Sequence, residues 1–165
     1  MEERPHTLLE IERESQSLLP DKSDKEILGG VPWVSILINL APKKLSTLVA
    51  PFDIVLPEDI TAYIVTVEGS RVVQTRIPNS LPAYTPVLLE NTGEDQVTCT
   101  FSGYNEATQD TCQAGNMIGI LSPDGFEIEP NAGNYVLQTQ NGVTNFYRVA
   151  NEPIRAVQFK AFLHI

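Results

Sequence analysis

Two cysteines and two histidines are all that 165 residues offer of the side chains most used as soft metal ligands, nucleophiles and general bases. So few thiols cannot build the disulfide framework of a small secreted scaffold. Two readings stay open: a pair of isolated thiols at Cys99 and Cys112, or one disulfide joining them across the intervening loop. His6 and His164 lie near opposite ends of the chain, so a Ser-His or Cys-His nucleophile pair has little to draw on. GxSxG, HExxH, CxxC, the Walker loop and GxGxxG are all missing. Basic residues are scarce as well: 11 Lys and Arg stand against 21 Asp and Glu, a formal net charge of -10. That balance repels phosphate backbones and anionic membrane surfaces, so no nucleic-acid partner is expected. No apolar run approaches the ~18 residues that a membrane-spanning helix needs, and no membrane insertion is expected either. No acidic stretch has the DxDxDG spacing of a calcium loop, and neither a metal nor a cofactor is expected.

What the chain has in quantity is β signal. Residues 134–149, NYVLQTQNGVTNFYRV, set two runs of strand formers on either side of Asn141-Gly142, the dipeptide that best tolerates two successive residues at positive φ. This spells a type I′ hairpin. Centring the turn there opposes Gln140 to Val143, Leu137 to Phe146, Val136 to Tyr147 and Tyr135 to Arg148. One face then carries Tyr135, Leu137 and Phe146, the other Val136, Tyr147 and Val149, which places the hairpin inside a packed β structure.

From Val31 onward, Gly, Pro, Asn and Asp punctuate the chain at intervals of roughly ten residues, the spacing of a sandwich or barrel. The expected strands are 33–39, 47–56, 61–67, 71–77, 86–90, 97–102, 117–121, 126–129, 135–140, 143–149 and 158–164. In 97–102, Val97, Cys99 and Phe101 share one face and Thr98, Thr100 and Ser102 the other, the alternation of a half-buried antiparallel strand. Cys99 is accordingly expected to be a small core residue. Pro51 interrupts 47–56, which should lie at an edge or carry a bulge. The segment PNSLPAYTP should form an extended connection.

Residues 1–28 differ in kind. Thr7 and Glu10 could form a capping box for a helix over 7–19, and Pro20 with the DKSDKE run then forms a linker or loosely attached arm. The division expected is an N-terminal helix or arm over 1–30 and a β-sandwich domain over 31–165. The opening MEERPHTLLEIERE lacks the order of a secretory leader, as in a cytoplasmic chain or one whose leader has been removed.

The segments LSTLVAPFDIVLPEDITAYIVT (45–66), IPNSLPAYTPVLLEN (77–91), GNMIGIL (115–121) and GNYVLQTQNGVTNFYRVANEPIRAVQFKAFLHI (133–165) resemble a β-sandwich module at the C-terminal ends of secreted and surface proteins of Bacteroides-type gut bacteria. The resemblance covers roughly residues 33–165 and is one of core and turn residues, not catalytic ones. The chain departs from that pattern at Tyr84, where the family usually has Asn, at Asn145, where Gly is common, and over 159–162. What the resemblance implies is an all-β accessory domain on the outside of the cell.

Candidate chemistry is limited. A glycosidase needs two carboxylates at a suitable separation, and Glu90, Glu94, Asp95, Glu106, Asp110, Asp124, Glu127 and Glu129 are loop or strand-end candidates, though a solvated surface accounts for them as well. Trp33, Tyr84, Tyr104 and Tyr135 could form an aromatic platform for sugars or peptides. Trp33 is expected to be mostly buried, leaving Tyr84 and Tyr104 as the expected ligand contacts. The leading expectation is a non-enzymatic accessory or interaction domain; the alternative is a carbohydrate-binding module or adhesin, with a glycosidase last. Open β edges and the N-terminal arm also suggest strand or arm exchange in a homo-oligomer.

Overall fold

A computed structural model describes residues 27–28 and 30–165 of the chain. The helix expected over 7–19 lies outside the described residues, as does His6. Among the described residues every regular element is a strand. In order these are β1 (Ile27–Leu28), β2 (Val31–Leu40), β3 (Leu45–Leu48), β4 (Ile54–Val55), β5 (Ile60–Glu68), β6 (Arg71–Ile77), β7 (Ser80–Leu81) and β8 (Val87–Asn91). They continue as β9 (Val97–Tyr104), β10 (Thr111–Ala114), β11 (Met117–Ile120), β12 (Phe126–Ile128), β13 (Asn134–Gln140), β14 (Val143–Arg148), β15 (Ile154–Ala156) and β16 (Ala161–His164).

All pairings are antiparallel. The sheets run in the orders β1-β2-β9, β3-β8-β5-β6 and β10-β11-β16-β13-β14, with small two-stranded pieces β4-β7 and β12-β15. This is the layered, sandwich-like all-β fold that the alternation of the sequence implies.

Three hydrophobic cores lie between the layers. In the first, Val34, Ile36 and Ile38 of β2 and the inner residues of β9 meet Ala62 of β5 and Val87 and Leu89 of β8. In the second, the opposite faces of β5 and β8 supply Val65 and Leu88, which meet Met117, Leu137 and Leu163 of the five-stranded sheet. In the third, the far face of that sheet gives Ile120, Val136 and Phe162 to Ile128, Ile154 and Ala156 on or beside the β12-β15 pair. Strands β5 and β8 are therefore apolar at successive positions over 62–65 and 87–89, where neighbouring residues face one core and then the other. Each such side chain contributes about 1.5–3 kcal/mol of transfer free energy when fully buried.

The closing hairpin has the register that its turn dictates: Tyr135 opposes Arg148, Leu137 opposes Phe146 and Gln140 opposes Val143. Asn141 and Gly142 sit at φ 52° and 80°, both left-handed, as a type I′ turn requires. Its two faces enter different cores, Tyr135, Leu137 and Phe146 the second and Val136 and Val149 the third.

The strand bounds expected over 47–56 and 158–164 are corrected. The segment 47–56 is not one strand with a kink: β3 stops at Leu48, ahead of Pro51, and pairs with β8 at a sheet edge, while β4 pairs with β7. The PNSLPAYTP connection contains that short strand β7. The last strand begins at Ala161, because Phe159 takes φ 72° and spends its N–H on Ile120 O and its carbonyl on Val49 N.

Side chains stitch the layers where strands end. Asn116, in the β10–β11 turn, accepts the Val67 N–H on Oδ1 at 2.9 Å and donates Nδ2 to His164 O at 3.0 Å, tying β5 to β16. The fully buried Asn91 donates to Leu40 O and Asp95 O and accepts from Gly93 N. Gly115 precedes Asn116 at φ 59°, and a Cβ there would lie 2.4 Å from Val65 O. Gly142 also has a left-handed φ, yet open space where a Cβ would stand. Substituting Ala at Gly142 should therefore cost only the backbone term, about 1–2 kcal/mol. At Gly115 the same change adds a backbone clash and should cost more. Chemical denaturation of the two variants checks the order, and equal losses would contradict it.

Candidate functional site

The loop Asn105–Asp110, between β9 and β10, separates two surface pockets. One, of about 250 Å³, is lined by Tyr84, Glu106, Gln109, Thr111, Cys112 and Leu121 among others. The second, of about 400 Å³, shares the loop and reaches Val31, Pro32, Asp110 and Ser122. The first is below the volume of most drug-sized ligand sites, so it suits a small group or the end of a larger one. Among the described residues the charged side chains lining the pair are Glu106 and Asp110, with no Lys or Arg to match an anion.

Tyr84 and Phe159 are the two aromatic residues among the described ones with a left-handed backbone. The φ of Tyr84 is 62°, in the left-handed region that a bulky L-residue enters at a cost of about 1–2 kcal/mol. The conformation is held by the Tyr84 N–H donating to Ala50 O at 2.8 Å and by the Ala83 N–H donating to Asp53 Oδ1 at 2.8 Å. Phe159 has a comparable φ, but its ring is buried in the first core; the Tyr84 side chain is 38% exposed and gains much less from packing.

Tyr104, also 38% exposed, is not in that pocket. It ends β9 on the outward face of the β2-β9 ladder, where its ring meets Trp33 edge-on at 4.8 Å and 81°. Trp33 is mostly buried, as expected, although it stands on the outward face. The inward set of β2 is Val34, Ile36, Ile38 and Leu40, and the parity of Trp33 puts it with Ser35, Leu37 and Asn39. Across the ladder these four oppose Tyr104, Ser102, Thr100 and Thr98. Gly103 points inward beneath the Phe52 ring, so close that a Cβ would lie 2.7 Å from it.

Both cysteines are free thiols. Cys99 packs against the first core and Cys112 lines the smaller pocket. Burial pushes both thiols up from their ordinary range, with a hydrogen bond from the Gly119 backbone partly offsetting it at Cys112. Such thiols are poor nucleophiles at neutral pH. His164 places Nδ1 2.7 Å from Asn134 Oδ1, away from both pockets.

Of the eight candidate carboxylates, only Glu106 and Asp110 reach the pockets. Glu127 lies 3.9 Å from Arg155, and Glu94, Asp95, Asp124 and Glu129 are exposed. Among the described residues no group of three or more His, Cys, Asp and Glu side chains could hold a metal ion. Glu90 accepts a 2.9 Å hydrogen bond from the Tyr63 hydroxyl.

That bond, with burial and the carboxylate charge adding to it, raises the Tyr63 phenol above its ordinary value of 10.0. The folded state thus holds the proton more tightly than the unfolded chain. This contribution is complete below the ordinary phenol value and is lost as pH rises through the higher folded one. Stability should fall with rising pH on the alkaline side of 10, and Tyr63→Phe should flatten that part of the curve in denaturant titrations. A Tyr63→Phe profile identical to the parent would contradict it.

Compared with protein-family models, curated proteins and solved structures, the chain matches none.

Proposed function

We propose that this chain is a non-enzymatic accessory or interaction domain of a secreted or cell-surface bacterial protein, in keeping with the Bacteroides-type modules that its strand and turn motifs resemble. The motif residues work in the fold. Asn116 and Gly115 join layers, Pro86 leads into the doubly buried β8, and Asn141-Gly142 turns the last hairpin. The residues placed to meet a partner stand apart from these: Tyr84 at the loop pocket, and Tyr104 beside the mostly buried Trp33 on the outward face of β2 and β9.

The observation that carries the reading is the left-handed Tyr84. At φ 62° the Asn usual in the resembling modules is nearly without strain, whereas Tyr is strained, and its ring is substantially exposed. A bulky ring kept at a backbone cost and turned toward solvent fits a contact residue better than a packing one.

Two measurements test this. Tyr84→Asn should leave the thermal midpoint unchanged or raise it by up to roughly 4 °C; a drop of several degrees would make Tyr84 a packing residue and remove the argument. The purified chain should hydrolyse neither glycans nor peptides. Turnover that disappears in Glu106→Gln or Asp110→Asn would replace the interaction domain with an enzyme.

A further inference from the structure

We propose that the outward face of β2 and β9 is a binding strip for a neutral glycan chain, with the Trp33 and Tyr104 rings as its stacking end; this rests on reading the domain as an interaction module. Cross-strand rows on one face recur about every 7 Å along a strand. The strip from Trp33 to Asn39 therefore runs for roughly 20 Å, long enough for several sugar rings.

Its chemistry selects the ligand. A sugar ring presents C–H faces and hydroxyl edges. The aromatic pair at one end suits the former, and the hydroxyls and amides of the remaining rows suit the latter. No residue of the four rows carries a charge, in a chain with 21 acidic and 11 basic residues. A polyanion meets the overall charge of -10 and no cation on the strip. A basic peptide finds no carboxylate there. A protein interface needs a desolvated apolar centre, and the aliphatic side chain facing outward in these rows is Leu37 alone, itself half-buried.

The polar groups are also held in place before any ligand arrives. Ser35 Oγ and Ser102 Oγ lie 2.9 Å apart, and Asn39 Oδ1 accepts from Gln96 Nε2 at 2.5 Å and from Thr98 Oγ1 at 2.9 Å. Among the described residues the Asn39 amide N–H groups and one hydroxyl proton of the serine pair meet no acceptor, and they can serve as donors for a ligand. Little side-chain ordering is then needed on binding.

The test is calorimetry and array binding of the intact chain against neutral gluco-, manno- and xylo-oligosaccharides, with polygalacturonate as the anionic counter-probe. Saturable binding to a neutral glycan is expected. Trp33→Ala and Tyr104→Ala should each weaken it roughly tenfold or more, and Gln74→Ala, on the distant β6, should leave it unchanged. Thr100→Glu keeps both rings and the exposed backbone position while placing a charge in the strip; it too should weaken binding, and it carries the test should Trp33→Ala fail to fold. No binding to any neutral glycan, preference for polygalacturonate, or binding indifferent to Thr100→Glu and Tyr104→Ala would overturn the inference. None of those results makes the domain an enzyme. Cleavage of a bound glycan would instead overturn the interaction-domain reading and leave the strip standing.

Discussion

Burial of the middle sheets on both faces is the constraint on which the rest of this fold depends. In β8, Val87 and Leu89 enter one core and Leu88 the next; in β5, Ala62 and Val65 divide in the same way. A strand in that position cannot alternate apolar and polar residues, and its sequence becomes a short apolar run. It also cannot slip by one residue, since every side chain would move to the other core, where the volume and shape it meets differ. The outer sheets carry a lighter demand. Strand β9 alternates half-buried and exposed positions along its length, as a strand with one wet face should.

The layers are joined at their ends by a few polar groups whose loss would leave buried donors or acceptors unpaired. Asn91 and Asn116 each bond to two separate segments, and the glycine beside Asn116 exists because the carbonyl of Val65 occupies the place of a side chain. At the outer edge of β14, Asn145 Oδ1 accepts the N–H of Phe146 at 2.8 Å, which occupies one of the donors that an edge strand offers to other chains.

How much of this could be read from the chain depended on whether local chemistry settled the matter. The hairpin register was legible to the residue because Asn-Gly admits essentially one tight reversal between strands. Most longer strands were legible within a residue or two for the same reason, since proline and glycine bound them. Strands β7, β10 and β15 were not, because their few residues carry no apolar run or alternation, and Thr111–Ala114 is held by its pairing to β11 rather than by its own pattern. The outward place of Trp33 has a signal in the sequence: the Val34, Ile36, Ile38 and Leu40 parity is purely aliphatic, whereas Trp33 shares its parity with Ser35 and Asn39. The pocket beside Asn105–Asp110 had no such signal, because it is formed by segments far apart in sequence, including Tyr84 and Leu121. Backbone strain at Tyr84 is likewise visible only in coordinates.

Surfaces for recognition fall where the constraint relaxes. Among the described residues the outward face of β2 and β9 packs on no core, and the loop pocket lies beyond the strand ends, so both can carry aromatic and polar groups that an interior layer would reject. If the doubly buried sheets are the structural centre, their amides should open only with the whole domain. Native-state hydrogen exchange measures this directly. The amides of Val65, Leu88 and Leu137 should exchange last and with one common opening free energy, ahead of which β6 and the outer edge of β9 exchange by local opening. Independent exchange of the β5-β8 pair and the five-stranded sheet, at clearly different free energies, would contradict it.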